Sequence, residues 1–465
     1  MAVTYKKLWK LLIDKDMKKK ELASLAGINP TTISKMSRGE NVSVDVLGKI
    51  CSVLDCKLDD IMEFIPDAPI INNNAPTKDS YQILSGDTLV ATWNDKVLII
   101  HNESLLPLYL KKYRDADSWL ETRAIDSHRA NSRLLKKALR LENKDDISTV
   151  IHVNAATITD NYWIRPIGST LTYADVKFDN DYFASLALKG NYDSFNKAAS
   201  RGHTKSPELT NVGSFEKCWK LKDGKWWMHK KATLPEMFSE LFVYELGTAL
   251  GMNMARYEKG TGCIKSLDFT SQGSVNFEPA SAFMGDNEDY LDVIDALENI
   301  CPEAIPDYIK LIFMDTICAN PDRHTNNFGL MRDVESGKLL GLAPNYDNNM
   351  ALISRGYPAK PNANDLLISL FRDVMDTYPE YKEYIPTVTE EIIDTVIGKI
   401  NMKVKANEVK KLVLSRYILV MQNYEKTMEK IYEAKLLNDG LSDLENGKTV
   451  EGDSLRTRLE NKYGV

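Results

Sequence analysis

Two polar motifs joined by a hairpin-length spacer constrain the fold of this 465-residue chain more than any other feature. The first motif places Asp322 five residues before Asn327, and the second motif ends at Asp347. Between them, two short apolar runs flank Gly337, which is the pattern of two strands joined by a turn. A hairpin of that length returns Asp347 to the loop that contains Asp322. We therefore expect the three polar side chains to share one site.

These residue types are the ones that phosphoryl transfer requires. A carboxylate orients the acceptor hydroxyl, while an amide and a second carboxylate hold the Mg²⁺ ions that neutralise the phosphates of ATP. We predict Asp322 as the catalytic base, with His324 as a brace for its loop or a second base. Asn327 and Asp347 are the predicted metal ligands. The alternative is that these side chains only cap and brace a loop, as Asp and Asn often do.

The form of these motifs resembles that of the HipA family of bacterial serine/threonine kinases, the toxins of HipBA toxin–antitoxin pairs. Two motifs carry the resemblance: Asn320-x-Asp322-x-His324-x-x-Asn327 and Ala343-Pro344-x-Tyr346-Asp347. The resemblance implies an Mg-ATP-dependent kinase whose substrate is a protein, such as an aminoacyl-tRNA synthetase or another translation factor. Members of the family commonly carry Lys before the metal Asn, where this chain has Asn326.

A glycine-containing loop lies about a hundred residues earlier, before two strand-like runs. A glycine in such a loop lets backbone N–H groups approach phosphate, although a plain β-hairpin would show the same pattern. The segment Gly213-x-x-Glu216-Lys217 resembles the phosphate loop of HipA kinases. We expect four residues of this loop to bind ATP: Thr210, Val212, Gly213 and Ser214.

The same loop is a candidate site of self-modification. In the HipA family, a serine three residues before the glycine is autophosphorylated, which expels the loop and silences the kinase. Thr210 occupies that position in this chain, so the resemblance implies self-inactivation there. Because serine is replaced by threonine, Ser206 and Ser214 are competing acceptors.

The strand and helix after the loop supply a predicted anchor for ATP. Side chains alternate between the two faces of a strand, so Lys230 shares a face with the apolar Met228, and Lys231 does not. We therefore choose Lys230 as the ATP-anchoring residue. Glu240, on a predicted amphipathic helix, resembles the family's helix glutamate, whose role is an ion pair with that lysine. The alternative is that Glu240 is an exposed helix charge.

Residues 1–66 form a second informative block. Two short helical patterns are separated by Gly27 and by the turn Ile28-Asn29-Pro30, which is typical of a helix-turn-helix. Residues 1–40 carry nine Lys and Arg against four Asp and Glu, whereas the whole chain has a net charge of −7. This local positive field favours DNA phosphate, and the overall charge argues against a protein that coats nucleic acid throughout.

The second helix of this pair should enter the DNA major groove. Its outward polar residues are the predicted DNA contacts: Thr31, Thr32, Ser34, Lys35 and Arg38. The segment resembles a Cro/C1-type (XRE) domain through Glu21-Leu-Ala-x-x-Ala26-Gly-Ile-Asn, Ile33-Ser-Lys and Arg38-Gly39. This resemblance implies operator DNA as a partner and a homodimer on a palindromic site. The alternative is a small helical bundle used only for dimerisation.

The length of the chain predicts several domains. We expect an all-α helix-turn-helix domain, then a two-lobed α+β kinase-like domain with a helical C-terminal lobe. The predicted divisions are a domain at 1–66, a linker at 67–80, an unassigned subdomain at 81–200, a nucleotide lobe at 201–270, a catalytic lobe at 271–435 and an exposed tail at 436–465. Within the subdomain, residues 118–141 predict a helix whose Arg and Lys form a solvated face rather than a second DNA site.

The sequence also predicts where the protein is located and leaves two alternative functions open. There is no run of 18 apolar residues, and six scattered cysteines include no C-x-x-C pair, which favours a cytoplasmic protein with reduced thiols and no membrane partner. Two rival functions remain open. One is a transcription regulator whose kinase-like domain only senses nucleotide, and the other is a small-molecule phosphotransferase, since such enzymes share the base, Asn and Asp arrangement.

Overall fold

The computed structural model describes residues 2–15, 17–37, 42–65, 80–141, 144–191, 205–358, 360 and 364–422. Arg38 and the predicted tail lie outside these residues, as does the whole predicted linker except Ser80. Among the described residues, no helix combines the length and the apolarity that crossing a bilayer requires. All six cysteines are described, and they are free thiols.

The N-terminal domain is a four-helix unit around a small apolar core. Its helices are α1 Lys6–Asp14, α2 Lys19–Ala26, α3 Pro30–Ser37 and α4 Val44–Leu54. Gly27 ends α2 with a φ of +62°, a left-handed conformation that glycine adopts without steric cost. Ile33 and Met36 of α3 are buried in the core, so the polar positions of α3 face outward as expected. Strand β1 (Ala2–Thr4) pairs antiparallel with β2 (Glu63–Ile65), an addition that the sequence did not predict.

The subdomain after the linker is built on a four-stranded antiparallel sheet. Its strands are β3 Tyr81–Ser85, β4 Thr88–Asn94, β5 Val97–Ile100 and β6 Tyr162–Pro166, in the spatial order β5-β4-β3-β6. Asp95 and Lys96 form the two-residue turn between β4 and β5, and both have positive φ, as a type I′ hairpin turn requires. The helices are α5 Leu108–Tyr113, α6 Ala116–Glu121, α7 Ser132–Ala138, α8 Asp146–His152, α9 Tyr173–Val176 and α10 Ala184–Lys189.

The continuous helix predicted for 118–141 is wrong. The structure has two short helices, α6 and α7, with a loop over residues 122–131 between them. The predicted solvated face is wrong for Arg123 and Arg129 in this loop, which are only 8% and 2% exposed. It is confirmed for the exposed cations of the segment, Arg133, Lys137 and Arg140. Arg123 forms a bidentate ion pair with the buried carboxylate of Asp160, which lies too far along the sequence to appear in a helical pattern.

The predicted nucleotide lobe contains a second four-stranded sheet with one long helix packed against it. Its strands are β7 Lys217–Lys222, β8 Lys225–Lys231, β9 Tyr257–Lys259 and β10 Cys263–Leu267, in the order β7-β8-β10-β9. Helix α11 (Leu234–Ala249) begins at Thr233, whose side chain accepts a hydrogen bond from the backbone N–H of Glu236. Since Glu236 bonds back to Thr233, a capping box fixes where the helix starts.

The predicted catalytic lobe combines a small sheet with a group of helices. Strands β11 Val275–Pro279, β12 Gly329–Asp333 and β13 Leu339–Leu342 form the sheet in that order. The helices are α12 Ser281–Met284, α13 Tyr290–Ile300, α14 Ile305–Ile317, α15 Leu366–Thr377 and α16 Glu390–Ile400, and residues 406–422 are also helical. The predicted hairpin is present as β12 and β13, with Gly337 in its turn at a φ of +71°. Helix α14 is buried along most of its length and ends directly before the Asp322 loop, so that loop starts from a fixed point.

Candidate active site

A cavity of about 1900 Å³ brings the predicted site residues together from distant parts of the chain. The predicted residues that line it are Thr210, Val212, Gly213, Ser214, Lys230, Glu240, Asp322, His324, Asn327 and Asp347. At its outer end the cavity reaches the N-terminal domain, where the Lys19 ammonium lies 3.5 Å from a carboxylate oxygen of Asp292. The cavity therefore extends from the loop around Gly213, past the loop around Asp322, to the edge of the N-terminal domain.

The buried guanidinium of Arg323 fixes the backbone of the Asp322 loop. Arg323, which is 6% exposed, forms a bidentate ion pair with Asp315 of α14 through hydrogen bonds of 2.8 and 2.9 Å. It also donates to the backbone carbonyl of Asn327 at 2.6 Å. The amide of Asn327 donates in turn to the backbone carbonyl of Asp322 at 2.7 Å. These bonds fix the loop's backbone and leave the half-buried Asp322 carboxylate facing the cavity.

The same guanidinium joins the two sequence motifs. Arg323 donates to the backbone carbonyl of Tyr346 at 2.7 Å and to the side chain of Asn348 at 2.6 Å. Asp347 lies between these two contacts and has a φ of +60°, a conformation that costs a non-glycine residue free energy and is concentrated at functional sites. Its backbone N–H donates to the Tyr257 hydroxyl at 3.0 Å. Sequence reasoning did not select Arg323, because a motif written as Asp-x-His treats the middle position as free.

Lys230 lies in the cavity, and the neighbouring Lys231 is exposed. The Lys230 ammonium forms a short ion pair with Asp347 and donates to the side-chain oxygen of Asn349 at 2.9 Å. The ring of Phe215, from the loop, covers the ammonium at 4.3 Å, a cation–π contact. Although burial raises the pKa of Asp347, the Lys230 and Lys217 cations outweigh it and hold that pKa below its usual value.

The expected ion pair between Lys230 and Glu240 is wrong for this structure. The carboxylate of Glu240 instead accepts a hydrogen bond from the backbone N–H of Asn348 at 2.8 Å. Burial and then the neighbouring Asp347 charge raise the pKa of Glu240 to about 7. The Asp347 carboxylate contacts the Lys230 ammonium directly. Glu240 is only 1% exposed on helix α11. A role for Glu240 in nucleotide binding stays a prediction.

The glycine of the loop has a clear conformational requirement. Gly213 has a φ of +110°, and a Cβ placed there would come within 2.5 Å of the Lys217 ammonium. Lys217 pairs with Lys230 across β7 and β8, so both side chains point to the cavity side of the sheet. Burial, followed by the Arg129 and Lys230 charges, lowers the pKa of Lys217 to about 7. Sequence reasoning quoted Lys217 only as part of the loop motif and assigned it no role.

The three candidate phosphorylation residues differ in their surroundings. Thr210 is buried, and its hydroxyl donates to the carbonyls of Ala156 at 2.7 Å and Pro207 at 3.3 Å. Ser206 is also buried, and its hydroxyl accepts a bond from the N–H of Glu208. Ser214 is exposed and lines the cavity. Phosphorylation of Thr210 would require its hydroxyl to leave both carbonyls, whereas Ser214 is accessible as it stands.

The predicted metal ligands are one amide, from Asn327, and one carboxylate, from Asp347. Among the described residues, no group of three or more His, Cys, Asp or Glu side chains is placed to hold a metal ion. Mg²⁺ is commonly held by one or two carboxylates together with substrate phosphates and waters rather than by an all-protein cage. An amide oxygen and a carboxylate that line one cavity therefore fit Mg²⁺ better than a soft metal. His324 accepts a bond at Nδ1 from the N–H of Asn326, as a loop brace would.

The predicted DNA contacts on α3 are divided between exposed and half-buried positions. Thr31 and Lys35 are exposed, and Thr32 and Ser34 are half-buried. Asn29 caps the helix by accepting bonds from the N–H and the hydroxyl of Thr31 at 3.0 and 2.9 Å. Arg38 lies outside the described residues. The surface of α3 thus offers hydroxyl and ammonium groups, which suit base edges and phosphates.

Comparison with known proteins identifies this N-terminal segment. Residues 7–67 match the family of Cro/C1-type helix-turn-helix DNA-binding domains. The transcriptional regulator VanUg is 50% identical over an alignment that covers 14% of this chain and 88% of VanUg, with a TM-score of 0.14. Residues 7–67 are therefore a helix-turn-helix DNA-binding domain. More specifically, through residues 7–67 the chain belongs to the Cro/C1-type family.

Two further solved structures are similar to longer stretches of the chain. The Helicobacter pylori proinflammatory kinase CtkA is 15% identical, with 46% of this chain and 94% of CtkA covered and a TM-score of 0.35. HipA from Shewanella oneidensis MR-1, solved with HipB and its operator DNA, is 12% identical, with 74% of this chain and 99% of that chain covered and a TM-score of 0.43. No curated protein matches the sequence. Likenesses this distant do not assign an activity.

Proposed function

We propose that the chain is a HipA-like serine/threonine protein kinase that uses Mg-ATP and is fused to its own operator-binding domain. The observation that carries the proposal is the meeting of Asp322, Asn327, Asp347 and Lys230 in one cavity. These residues supply a base, two oxygen donors and a cation, which are the parts that phosphoryl transfer needs. Arg323 supports the proposal further, because it bonds to the backbone of both motifs and so fixes their relative position.

Each residue has a distinct role in the proposed reaction. Asp322 orients the acceptor hydroxyl and accepts its proton. Asn327 and Asp347 would hold Mg²⁺, which when bound supplies the charge neutralisation that the phosphates require. Lys230 binds the phosphates, and the loop from Thr210 to Ser214 covers them. The Lys230 ammonium has three N–H donors, of which Asp347 and Asn349 take two, so the third is left for a phosphate oxygen.

The partners follow from the two parts of the chain. We infer that the N-terminal domain binds operator DNA as a homodimer, and that the kinase modifies a cytoplasmic protein such as an aminoacyl-tRNA synthetase or another translation factor. Autophosphorylation at Thr210, Ser206 or Ser214 would make the chain self-limiting, as befits a growth regulator of the toxin–antitoxin type. The fusion places the repressing module and the kinase at equal concentration in the cell.

A transfer assay with radiolabelled ATP tests the proposal. Purified full-length protein should incorporate label. Asp322→Ala should lower incorporation at least about 100-fold, the usual loss when a positioned acid–base group is removed. Asp347→Ala should lower it at least about 100-fold as well, because a proposed ligand of the Mg²⁺ that neutralises the phosphates is lost. Asp333→Ala is the matched control, because Asp333 lies on β12 outside the cavity, and it should label like the wild type. Equal labelling by all four proteins would defeat the kinase proposal.

A second candidate function has one observation in its favour. The Lys230 ammonium is already paired with Asp347 and covered by Phe215, an arrangement that suits a domain that binds nucleotide without transferring phosphate. This function predicts ATP binding without labelling of any protein, coupled to a change in operator affinity. Labelling of a sugar or an antibiotic in place of protein would instead indicate a small-molecule phosphotransferase.

A further inference from the structure

The loop over the phosphate side of the cavity is held by the preceding subdomain as well as by its own lobe. The backbone N–H of Ile125 donates to the carbonyl of Leu209 at 2.9 Å. The Thr210 hydroxyl donates to the carbonyl of Ala156, and the N–H of Asn131 donates to the Glu216 carboxylate at 3.2 Å. Both ends of the loop thus rest on residues 125–156, the part of the chain to which sequence reasoning gave no role.

Arg129 makes the central contact between the subdomain and the loop. Its guanidinium donates twice to the carbonyl of Gly213, at 3.1 Å from Nε and 2.8 Å from Nη2, and once more, at short range, to the carbonyl of Asn211. The side chain is 2% exposed, so these bonds are made away from water and are charge-assisted. In the described part of the chain, its Nη1 is buried without a hydrogen-bond partner. Among the described residues, all three side-chain hydrogen bonds of Arg129 therefore go to the loop backbone.

The peptide geometry shows what this contact does to the loop. In a trans peptide the carbonyl of one residue and the N–H of the next point in opposite directions. Because the carbonyls of Asn211 and Gly213 point to Arg129, the N–H groups of Val212 and Ser214 point away from it. Val212 and Ser214 line the cavity. Two N–H groups aimed at one concavity are the arrangement that binds phosphate oxygens.

We propose that Arg129 is the positioning residue of the nucleotide loop, and that the subdomain of residues 81–200 thereby holds the loop in the conformation that receives phosphate. The inference rests on the proposed function in that the ligand is ATP. Arg129 does not touch the nucleotide; it acts through the backbone of the loop. The subdomain is then part of the nucleotide site rather than an appendage to the kinase.

Nucleotide affinity provides the first test. The dissociation constant of a fluorescent N-methylanthraniloyl derivative of ATP with Mg²⁺ is measured on the full-length chain for wild type, Arg129→Lys and Arg129→Met. Each variant should bind about tenfold more weakly, since hydrogen bonds to a charged group are lost and about 1.4 kcal/mol corresponds to tenfold. Arg165→Met is the matched control, because Arg165 bonds within the same subdomain to Gln82 and Leu171 and makes no contact with the loop. Its affinity should stay within twofold of the wild type.

Hydrogen exchange of the loop provides a second test that needs no nucleotide. In Arg129→Lys, the peptide that spans 211–216 should exchange at least about tenfold faster, while helix α14 keeps its protection. Arg129→Lys retains a cation and serves if Arg129→Met fails to fold. Unchanged affinity and unchanged loop exchange in Arg129→Lys, with a wild type that binds ATP, would overturn the inference and leave the proposed function standing. A wild type that binds no ATP would overturn the proposed function. Faster loop exchange in Arg129→Lys would still support the role of Arg129 in positioning the loop.

Discussion

The two sides of the cavity are each organised by a buried arginine, and the two arginines are bonded differently. On the catalytic side, Arg323 is paired with the buried carboxylate of Asp315. On the loop side, Arg129 bonds to backbone carbonyls and has no carboxylate within hydrogen-bond distance among the described residues. Their pKa values diverge accordingly. Burial lowers the pKa of Arg129, whereas at Arg323 the Asp315 charge outweighs burial and raises it.

This difference separates a fixed scaffold from a releasable contact. Removing Arg323 would leave the Asp315 charge buried without its partner, which is expensive in a low-dielectric interior. Releasing Arg129 from the loop costs hydrogen bonds to neutral carbonyls and breaks no direct ion pair, although the charges of Glu208 and Glu216 attract the guanidinium. The residues that would hold metal therefore lie on the side held by a buried ion pair, and the loop that would cover nucleotide lies on the side held by hydrogen bonds to carbonyls. Three predictions test this contrast.

The largest effect is expected for Arg323→Met. Breaking a buried ion pair by removing one partner costs about 3–5 kcal/mol, and the carbonyls of Asn327 and Tyr346 also lose their donor. The free energy of unfolding, measured by urea titration, should fall by that amount. Arg256→Met is the control, because Arg256 pairs with Glu258 at the surface, where such a pair contributes less than about 1 kcal/mol. Equal losses in the two variants would contradict the scaffold role of Arg323.

A smaller, pH-dependent effect on the free energy of unfolding is expected from Glu208, which lies just before the loop. Burial raises the pKa of Glu208 from 4.5 to about 7, although bonds from Asn211 and Trp219 oppose the rise. Between those values the folded chain keeps a proton that the unfolded chain releases, so stability is lost as pH rises from 4.5 to 7. Glu208→Gln removes this loss. Its stability relative to wild type should increase by on the order of 2 kcal/mol between pH 5 and pH 7.5, as followed by urea unfolding. A difference that stays constant with pH would show that Glu208 does not titrate in this range.

The sequence predicted the rigid side better than the releasable side. The spacing of Asp322 and Asn327 and the hairpin to Asp347 are local features, and the period-2 alternation of β8 was sufficient to separate Lys230 from Lys231. Arg129 could not be predicted in this way. Its partners are carbonyls more than 80 residues away, and a helical pattern of charged residues looks the same whether its arginines face water or backbone.

The choice of carboxylate for Lys230 was also beyond the sequence. Glu240 lies in the same lobe as the lysine, whereas Asp347 comes near it only after the two lobes have packed, with a positive φ that no sequence pattern indicates. The Asn348 backbone, from the same segment as Asp347, bonds to Glu240. A family resemblance transfers residue identities more readily than it transfers contacts. Contacts of this kind depend on the packing of two elements that share no local sequence signal.

The smallest effect is expected for Thr210→Val, which removes a hydroxyl and keeps the shape of the side chain. The hydroxyl bonds to the carbonyls of Ala156 and Pro207, both neutral, so the loss should be about 1 kcal/mol in the free energy of unfolding. Thr248→Val is the matched control, since Thr248 makes a comparable bond on an exposed helix surface, and it should change stability by less than about 0.5 kcal/mol. Because the loop is a releasable contact, the exchange of residues 211–216 should rise in Thr210→Val while α14 stays protected. A loss as large as that of Arg323→Met would place the loop in the rigid scaffold and remove the distinction between the two sides of the cavity.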